Sequence, residues 1–293
     1  MKPFELVEPD NAEAAVALLD PEDTRVRLIA GGTALMLMMK ARVFHPVRLV
    51  SLRRLDGTLR GIRQDGRGGL TIGAMTTLTE LEHSSQVASF VPVMSRALRT
   101  LSNVRIRNVA TVGGHLAHAD PHMDLPPILL TLGARVRTTS RRGERSIDLA
   151  DFFVGYYQSA VAPDELITQI DIPPQPQGVH TWYAKFAALS ADDWPSVGVA
   201  VWYRTEANRI IEARVAVSAA TERPVRVAQA EATLTGATAT ADTFEQAAEA
   251  AAHEVEPLAD IRGSAAYKRE MVRVHTQRAL HSAWPSAAKG GSR

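Results

Sequence analysis

The chain has 293 residues, enough for one large domain or two to three smaller ones, and 45% of them are hydrophobic, enough to build real cores. Lys and Arg number 33 against 32 Asp and Glu, so there is no charge excess to draw nucleic acid or a membrane surface. Cysteine is absent, which excludes disulfides, thiol catalysis and any thiolate-held iron–sulfur cluster in this polypeptide.

Residues 4–9 read as a strand, 12–19 as a helix with Asp10 or Asn11 as its N-cap, and 26–30 as a second strand. That strand runs into Gly31-Gly32-Thr33, and 35–41 follows as an apolar helix whose Met36, Met38 and Met39 read as core filler. Pro46 precedes a short strand over 47–52, and a β-hairpin is expected from 59–62 and 70–74 around the turn-rich 64–69. Thr79 with Glu80 and Glu82 starts a helix that runs through Leu81 and Val87, and 91–102 is another. The chain then enters a block at 105–127 that holds Gly113, Gly114 and three prolines. Such residues break helices, so the block is expected to be a loop wrapped around something rather than a core element.

Downstream, strands at 134–139 and 144–148 flank an Arg141-Arg142-Gly143 turn, and a strand at 166–172 is stopped by Pro173-Pro174. Residues 173–178 make the best linker, and a domain boundary is placed there. Three strand-like runs at 181–187, 197–205 and 210–219 suit a small antiparallel sheet. Helices follow at 225–234, at 243–253 with Asp242 as N-cap, and at 265–283, before a small polar tail at 285–293 expected to be disordered. The N-terminus lacks the apolar core of a secretory signal and no run is long enough to span a bilayer, so a cytoplasmic location is expected.

The chemistry concentrates in the two glycine pairs. A pair of glycines lets backbone N–H groups approach a ligand without a Cβ in the way, and Thr111 offers a hydroxyl to the same place. A turn from a strand into a helix start aims N–H groups at one point, and two such turns suit a pyrophosphate. Neither pair fits the G-x-G-x-x-G fingerprint and no G-x-x-x-x-G-K-[ST] loop exists, so neither a Rossmann site nor an ATPase is indicated. His115, His118, Asp120, His122 and Asp124 are metal-ligand residue types. The His115/His118 pair would need a helix to share a face, which Gly113, Gly114 and Pro121 are expected to prevent. No metal site is predicted, and these polar groups are read as lining a loop around a cofactor.

Four ordered motifs carry a resemblance: IAGGT at 29–33, IGAMTT at 72–77, RNVATVGGxLAHADPxxDLPP at 107–127 and DxRGSAxYKREM at 260–271. With them the chain, up to about residue 283, resembles the FAD-binding medium subunit of the molybdenum hydroxylases, the family of xanthine dehydrogenase and aerobic carbon monoxide dehydrogenase. The resemblance implies an α+β fold. A two-subdomain FAD-binding region of the vanillyl-alcohol-oxidase (PCMH) type is expected over 1–177, divided into about 1–56 and 57–177. A C-terminal domain of the CO dehydrogenase flavoprotein type, a small antiparallel sheet with helices, would fill 178–284.

It also implies FAD in this chain and electron transfer to an external acceptor. The partners would be a large molybdopterin-binding subunit and a small subunit with [2Fe-2S] clusters, assembled as a dimer of heterotrimers. Leu28, Ile29, Ala30, Gly31, Gly32, Thr33, Ala34 and Leu35 would hold the FAD pyrophosphate. Thr111, Gly113, Gly114 and His115 match the second flavin-contacting turn, with His115 where the family usually has Asn. Asp124 matches an aspartate on a ribose or adenosine-side hydroxyl, and Leu101 and Ile167 match apolar or main-chain contacts. Lys185 would approach the flavin ring and raise its potential, and Trp194 is the aromatic residue expected close to the isoalloxazine. The arginines usual before that aromatic are replaced by Ala188, Leu189 and Ser190. No catalytic acid, base or nucleophile is expected in this chain. Two other readings stand beside this one: a free-standing flavoenzyme of the same fold, and a nucleotide-binding or assembly subunit that no longer retains flavin.

Overall fold

The computed structural model describes residues 2–284, and the tail expected at 285–293 lies outside the described residues. Strands β1 (Glu5–Val7), β2 (Val26–Ile29) and β3 (Arg48–Ser51) pair in parallel in the order β1-β3-β2. Parallel neighbours need crossovers, and the helices Ala12–Ala17 and Leu35–Lys40 provide them. Asn11 caps the first by accepting from the Ala14 N–H at 2.8 Å, and Ala15, Val16 and Leu19 pack with Val26 and Val50.

A second, antiparallel sheet uses β4 (Ile62–Gln64), β5 (Leu70–Gly73), β6 (Arg135–Ser140), β7 (Gly143–Asp148) and, beyond the two-stranded hairpin of β8 (Phe153–Gly155) and β9 (Gln158–Ser159), β10 (Leu166–Ile172). Its order is β4-β5-β10-β6-β7, so the hairpin expected around 64–69 forms its edge. The helix expected from Thr79 starts at Leu78, because Thr77 caps it in a reciprocal capping box with Glu80. The run expected over 91–102 is helical only across Pro92–Leu98.

These pieces, residues 1–119 and 133–174, make one unit, while 120–132 belong with the chain from 175 onward in a second. In space the 120–132 segment groups with the second unit. The physical reason lies in Leu125–Leu132, an apolar helix with every residue buried. Its Pro126 and Pro127 stand in the first turn, where no intrahelical acceptor awaits their missing N–H groups. The expectation of a loop across 105–127 is corrected twice over, because Val112–His118 is also helical. Glycine in a helix costs about 1 kcal/mol relative to alanine, and the Thr111 N-cap contributes about as much in return.

The second unit is built on an antiparallel sheet of β11 (Val179–Phe186), β12 (Val197–Glu206), β13 (Arg209–Ser218) and β14 (Val225–Arg226), in chain order. Its first three strands fall where three were expected. On β12, Val197, Val199, Val201 and Tyr203 join Phe244, Val272 and Leu280 from the helices Ala241–Glu254 and Ala265–Ala283. Trp202, on the opposite face, stacks on Arg214, whose Nη1 donates to the Thr131 carbonyl at 3.0 Å, so the Leu125–Leu132 helix covers that side. The helix expected from 225 begins at Ala228 because Val225–Arg226 pairs as β14, and Thr240 rather than Asp242 caps Ala241–Glu254. Among the described residues no helix is long and apolar enough to cross a membrane.

Candidate cofactor site

In the first unit, β2 ends at Ile29 and the bend Ala30-Gly31-Gly32-Thr33-Ala34 leads into the helix Leu35–Lys40. Gly32 takes a left-handed φ of 68°, which costs a side-chain-bearing residue and costs glycine nothing. At Gly31 the need is space: a Cβ there would lie 2.1 Å from the Val109 carbonyl oxygen and 3.0 Å from Ala110 Cα. Among the described residues no acceptor takes the N–H of Gly31, Gly32, Thr33 or Ala34, and residues 28–35 are all half-buried. Four successive backbone donors without an acceptor thus stand in the bend that opens a helix, an arrangement whose chemistry suits an anion.

The second bend is stitched to the IGAMTT segment. Ala74 accepts from the Gly113 N–H at 2.9 Å, Thr76 from Val112 at 2.9 Å, and Ala110 from Leu78 at 3.0 Å. A Cβ on Gly113 would lie 2.7 Å from that of Ala74, so Gly113 faces the protein interior. Gly114 is exposed, and a Cβ on it would meet Thr111 Oγ1 at 3.0 Å and Ala30 Cβ at 3.6 Å. The two bends converge: Gly31 rests on 109–110, and Gly114 faces Ala30.

Their contributions differ from the symmetrical expectation. In the second bend the N–H groups of Val112 and Gly113 serve Thr76 and Ala74, that of Gly114 serves Thr111 Oγ1 at 3.2 Å, and that of His115 the Thr111 carbonyl at 2.8 Å. A capped helix start uses its own donors, so this side offers a wall without a Cβ and the Thr111 hydroxyl proton, while the first bend offers the amides. His115 and His118 do share this helix, one turn apart, against the reading that no helix could form; His118 meets the Tyr157 ring edge-on at 5.2 Å.

Leu101 and Ile167 are buried in the same unit, at 5% and 6% exposure. The Leu101 carbonyl accepts from Arg107 Nη1 at 3.3 Å, and Arg107 is itself fixed by a buried ion pair with Glu82 at 2.8 Å. Ile167 borders a bulge in β10, where the Thr168 carbonyl accepts from the Ala74 N–H at 2.9 Å. Ala74 thereby links that bulge to Gly113.

Asp124, Lys185 and Trp194 belong to the second unit. Tyr183 Oη donates to Asp124 Oδ1 at 2.7 Å and Lys185 Nζ to Oδ2 at 3.2 Å, with the Asp124 and Lys185 side chains 7% and 9% exposed. Burial pushes the Asp124 carboxyl above its ordinary range, against the pull of the Lys185 charge and the Tyr183 hydrogen bond. Burial, then the Asp124 charge, push the Tyr183 hydroxyl well above its own. Asp124 and Lys185 were singled out separately; the structure makes them one ion pair. Tyr183 was missed, although a strand places it on the face of Lys185, two residues on.

His122 lies between Asp120 Oδ1 at 2.9 Å and Asp260 Oδ2 at 3.1 Å, with Trp194 edge-on at 6.4 Å. The histidines and aspartates of the 115–124 series therefore point to different partners. Among the described residues no group of three or more His, Asp or Glu converges as a metal site.

Comparison with known proteins bears on both units. Residues 2–175 match the FAD binding domain in molybdopterin dehydrogenase, and residues 182–283 match the CO dehydrogenase flavoprotein C-terminal domain. The chain belongs to the FAD-binding medium subunits of the molybdenum hydroxylases. It is similar to the carbon monoxide dehydrogenase medium chain of Hydrogenophaga pseudoflava, 32% identical over 285 residues that cover 97% of this chain and 98% of that one. With the nicotine 6-hydroxylase medium subunit of Paenarthrobacter nicotinovorans it shares 35% identity over 273 residues, 93% and 94% of the two chains. Among solved structures, carbon monoxide dehydrogenase from H. pseudoflava lacking the Mo-pyranopterin moiety matches with a TM-score of 0.93 at 33% identity, over 97% and 98% of the chains.

This medium subunit is thus a subunit of an oxidoreductase and has the α+β fold expected of the family. Its first unit fits the cofactor that the family name specifies. A diphosphate needs several donors at one point and room for its oxygens, and the amides of 31–34 and the bare wall at Gly114 meet both needs.

Proposed function

We propose that the chain is the FAD-carrying electron-transfer subunit of a heterotrimeric molybdenum hydroxylase. The single observation that carries the reading is the convergence of the two bends; the amides of Gly31, Gly32, Thr33 and Ala34 are proposed to take the diphosphate of FAD. In this reading Leu28, Ile29, Ala30 and Leu35 frame those amides, Thr111 donates its hydroxyl, Gly114 leaves space for the phosphate, and His115, Leu101 and Ile167 line the approach. Asp124, Lys185 and Trp194 are proposed to contact the ribose and the ring system. FAD, when bound, supplies the redox chemistry, and the protein positions it and sets its potential.

The absence of cysteine supports the placement of [2Fe-2S] clusters on a small partner subunit, the word medium in the names of the relatives supports further subunits, and the name of the matching FAD domain supports a molybdopterin-binding partner. A dimer of heterotrimers in the cytoplasm is part of the same proposal. The test is the absorption spectrum of the purified full chain with added FAD, together with the identity of the chains that co-purify from the native host. A flavin spectrum at one FAD per chain and two co-purifying subunits support the assignment. A protein that takes up no FAD overturns it, and a solitary chain with its own activity overturns the heterotrimer.

A further inference from the structure

A second array of charges is anchored on the 120–124 turn and has no part in the function proposed above. His122 Nδ1 lies 2.9 Å from Asp120 Oδ1, which also accepts the His122 backbone N–H at 2.9 Å. His122 Nε2 lies 3.1 Å from Asp260 Oδ2, and the same oxygen accepts from Lys268 Nζ at 2.8 Å. Asp260 Oδ1 takes the Arg262 N–H at 2.8 Å, and Lys268 Nζ also donates to the Ala219 carbonyl at 3.1 Å. The His122, Asp120 and Lys268 side chains are 11%, 6% and 1% exposed and that of Asp260 26%, so the array reaches solvent mainly at Asp260.

The donors decide the protonation state. Ionised carboxylates only accept, and each carboxylate here already accepts at least one other N–H, so both ring nitrogens of His122 must donate. Only the imidazolium does that. A neutral ring would turn a lone pair toward a carboxylate in a poorly solvated place and lose one of the two bonds.

What the imidazolium holds is also on the page. Asp260 brings in the 260–263 turn, and the Arg262 carbonyl of that turn lies 3.5 Å from Ser196 Oγ, on the segment that carries Trp194. The Trp194 ring, 43% exposed, stands at 80° to the imidazole. The charged groups that face His122 are Asp120 from its own turn and Asp260 from the 260–263 turn, with Lys268 of the Ala265–Ala283 helix behind Asp260. Trp194 is the ring that meets it.

We infer that His122, as an imidazolium clamped between Asp120 and Asp260, is a positioning residue for Trp194. It ties the 120–124 turn to the 260–263 turn and gives the indole a fixed edge to rest on. A side chain that reaches only one of the two carboxylates opens the clamp and releases the indole. Where Trp194 contacts the flavin, as proposed above, His122 thereby sets how that ring is covered; this last link alone rests on the cofactor reading.

The test is the emission of Trp194 in the full chain, with and without FAD, taken as wild type minus Trp194→Phe because Trp284 also has a histidine neighbour, His180 at 5.4 Å. A protonated imidazole quenches a neighbouring indole more strongly than a neutral group does. Trp194 emission should therefore be weak in wild type and should rise in His122→Gln and in Asp260→Asn, which opens one side of the clamp. FAD content in His122→Gln should stay at the wild-type level. Trp194 emission unchanged in both variants overturns the inference. Asp260→Asn keeps the imidazole, so that comparison decides even if His122→Gln does not fold. If the chain takes up no FAD, the cofactor reading fails, while Trp194 emission still judges the clamp.

Discussion

Replacing Gly31 with alanine tests the convergence of the two bends directly. The new methyl would start 2.1 Å from the Val109 carbonyl oxygen, and contacts of this kind are essentially never seen below 3.0 Å, so the bend must move by roughly 1 Å. Both sides of the contact are backbone, which leaves no flexible side chain to absorb the shift. Overpacking of this sort costs about 1–3 kcal/mol in stability, or ~2–4 °C in Tm per kcal/mol for a domain of this size. The larger effect falls on the ligand. The displaced amides are those of 31–34, and a hydrogen bond to a charged group contributes about 1.5–3 kcal/mol. Loss of two of them costs ~3–6 kcal/mol, at least a hundredfold in Kd at ~1.4 kcal/mol per decade. FAD affinity is read by titrating the apoprotein and following the change in flavin absorbance and fluorescence. Gly66→Ala is the control, since a Cβ there meets nothing within 4 Å, and it should match wild type. If Gly31→Ala binds FAD with wild-type affinity, the first bend does not hold the diphosphate and the reasoning fails.

Gly114→Val should abolish FAD retention while keeping most of the fold, because the exposed Gly114 faces Ala30 across the space proposed for the phosphate; unchanged flavin content removes Gly114 from the site. Thr111→Ser keeps the cap and hydroxyl and should keep FAD, whereas Thr111→Val should lose about 1 kcal/mol of stability with weakened FAD binding; equal affinities in the two variants would refute a role for the hydroxyl. Lys185→Met strands the buried Asp124 carboxylate and should cost ~3–5 kcal/mol in urea unfolding, partly restored by Asp124→Asn in the same chain. The flavin retained by Lys185→Met should titrate at a more negative potential, and an unmoved potential counts against the lysine. Burial works against ionisation of Asp260, but hydrogen bonds from Lys268, the Arg262 N–H and His122 outweigh it and hold the carboxyl below its ordinary value of 3.8. That stabilisation is present above pH ~3.8 and is lost as pH falls toward the lowered value. Asp260→Asn should therefore be less stable than wild type at neutral pH, with the gap narrowing in acid; a gap independent of pH would refute the linkage.

Much of the architecture was legible because local pattern and tertiary role agree. The strand at 166–172 and the helix at 265–283 were delimited to the residue; a Pro-Pro stop ends the strand, and in the structure Ser264 caps the helix by accepting from the Tyr267 N–H. The glycine pairs pointed to an anion site only when taken together, since a single pair reads as a tight turn whereas two turns that each aim N–H groups at one point suit a pyrophosphate. The block at 105–127 misled for the same local reason. Glycine and proline read as helix breakers, yet Thr111 caps the first helix and the prolines occupy the first turn of the second, where their defects do no harm. Local signals also could not show that the second bend uses its own amides, since the acceptors Ala74 and Thr76 come from a different segment.

The amino-acid sequence by itself determined the family, the succession of strands and helices, and the two glycine bends, because each is written in contiguous residues through periodicity, caps and steric freedom. Only the tertiary structure decided which groups stand together: Gly31 against Val109, Asp124 with Tyr183 and Lys185, His122 between Asp120 and an aspartate 138 residues away. Electrostatic and hydrogen-bond partners act over a few ångströms of space, and no local pattern encodes which distant residue the fold will bring that close.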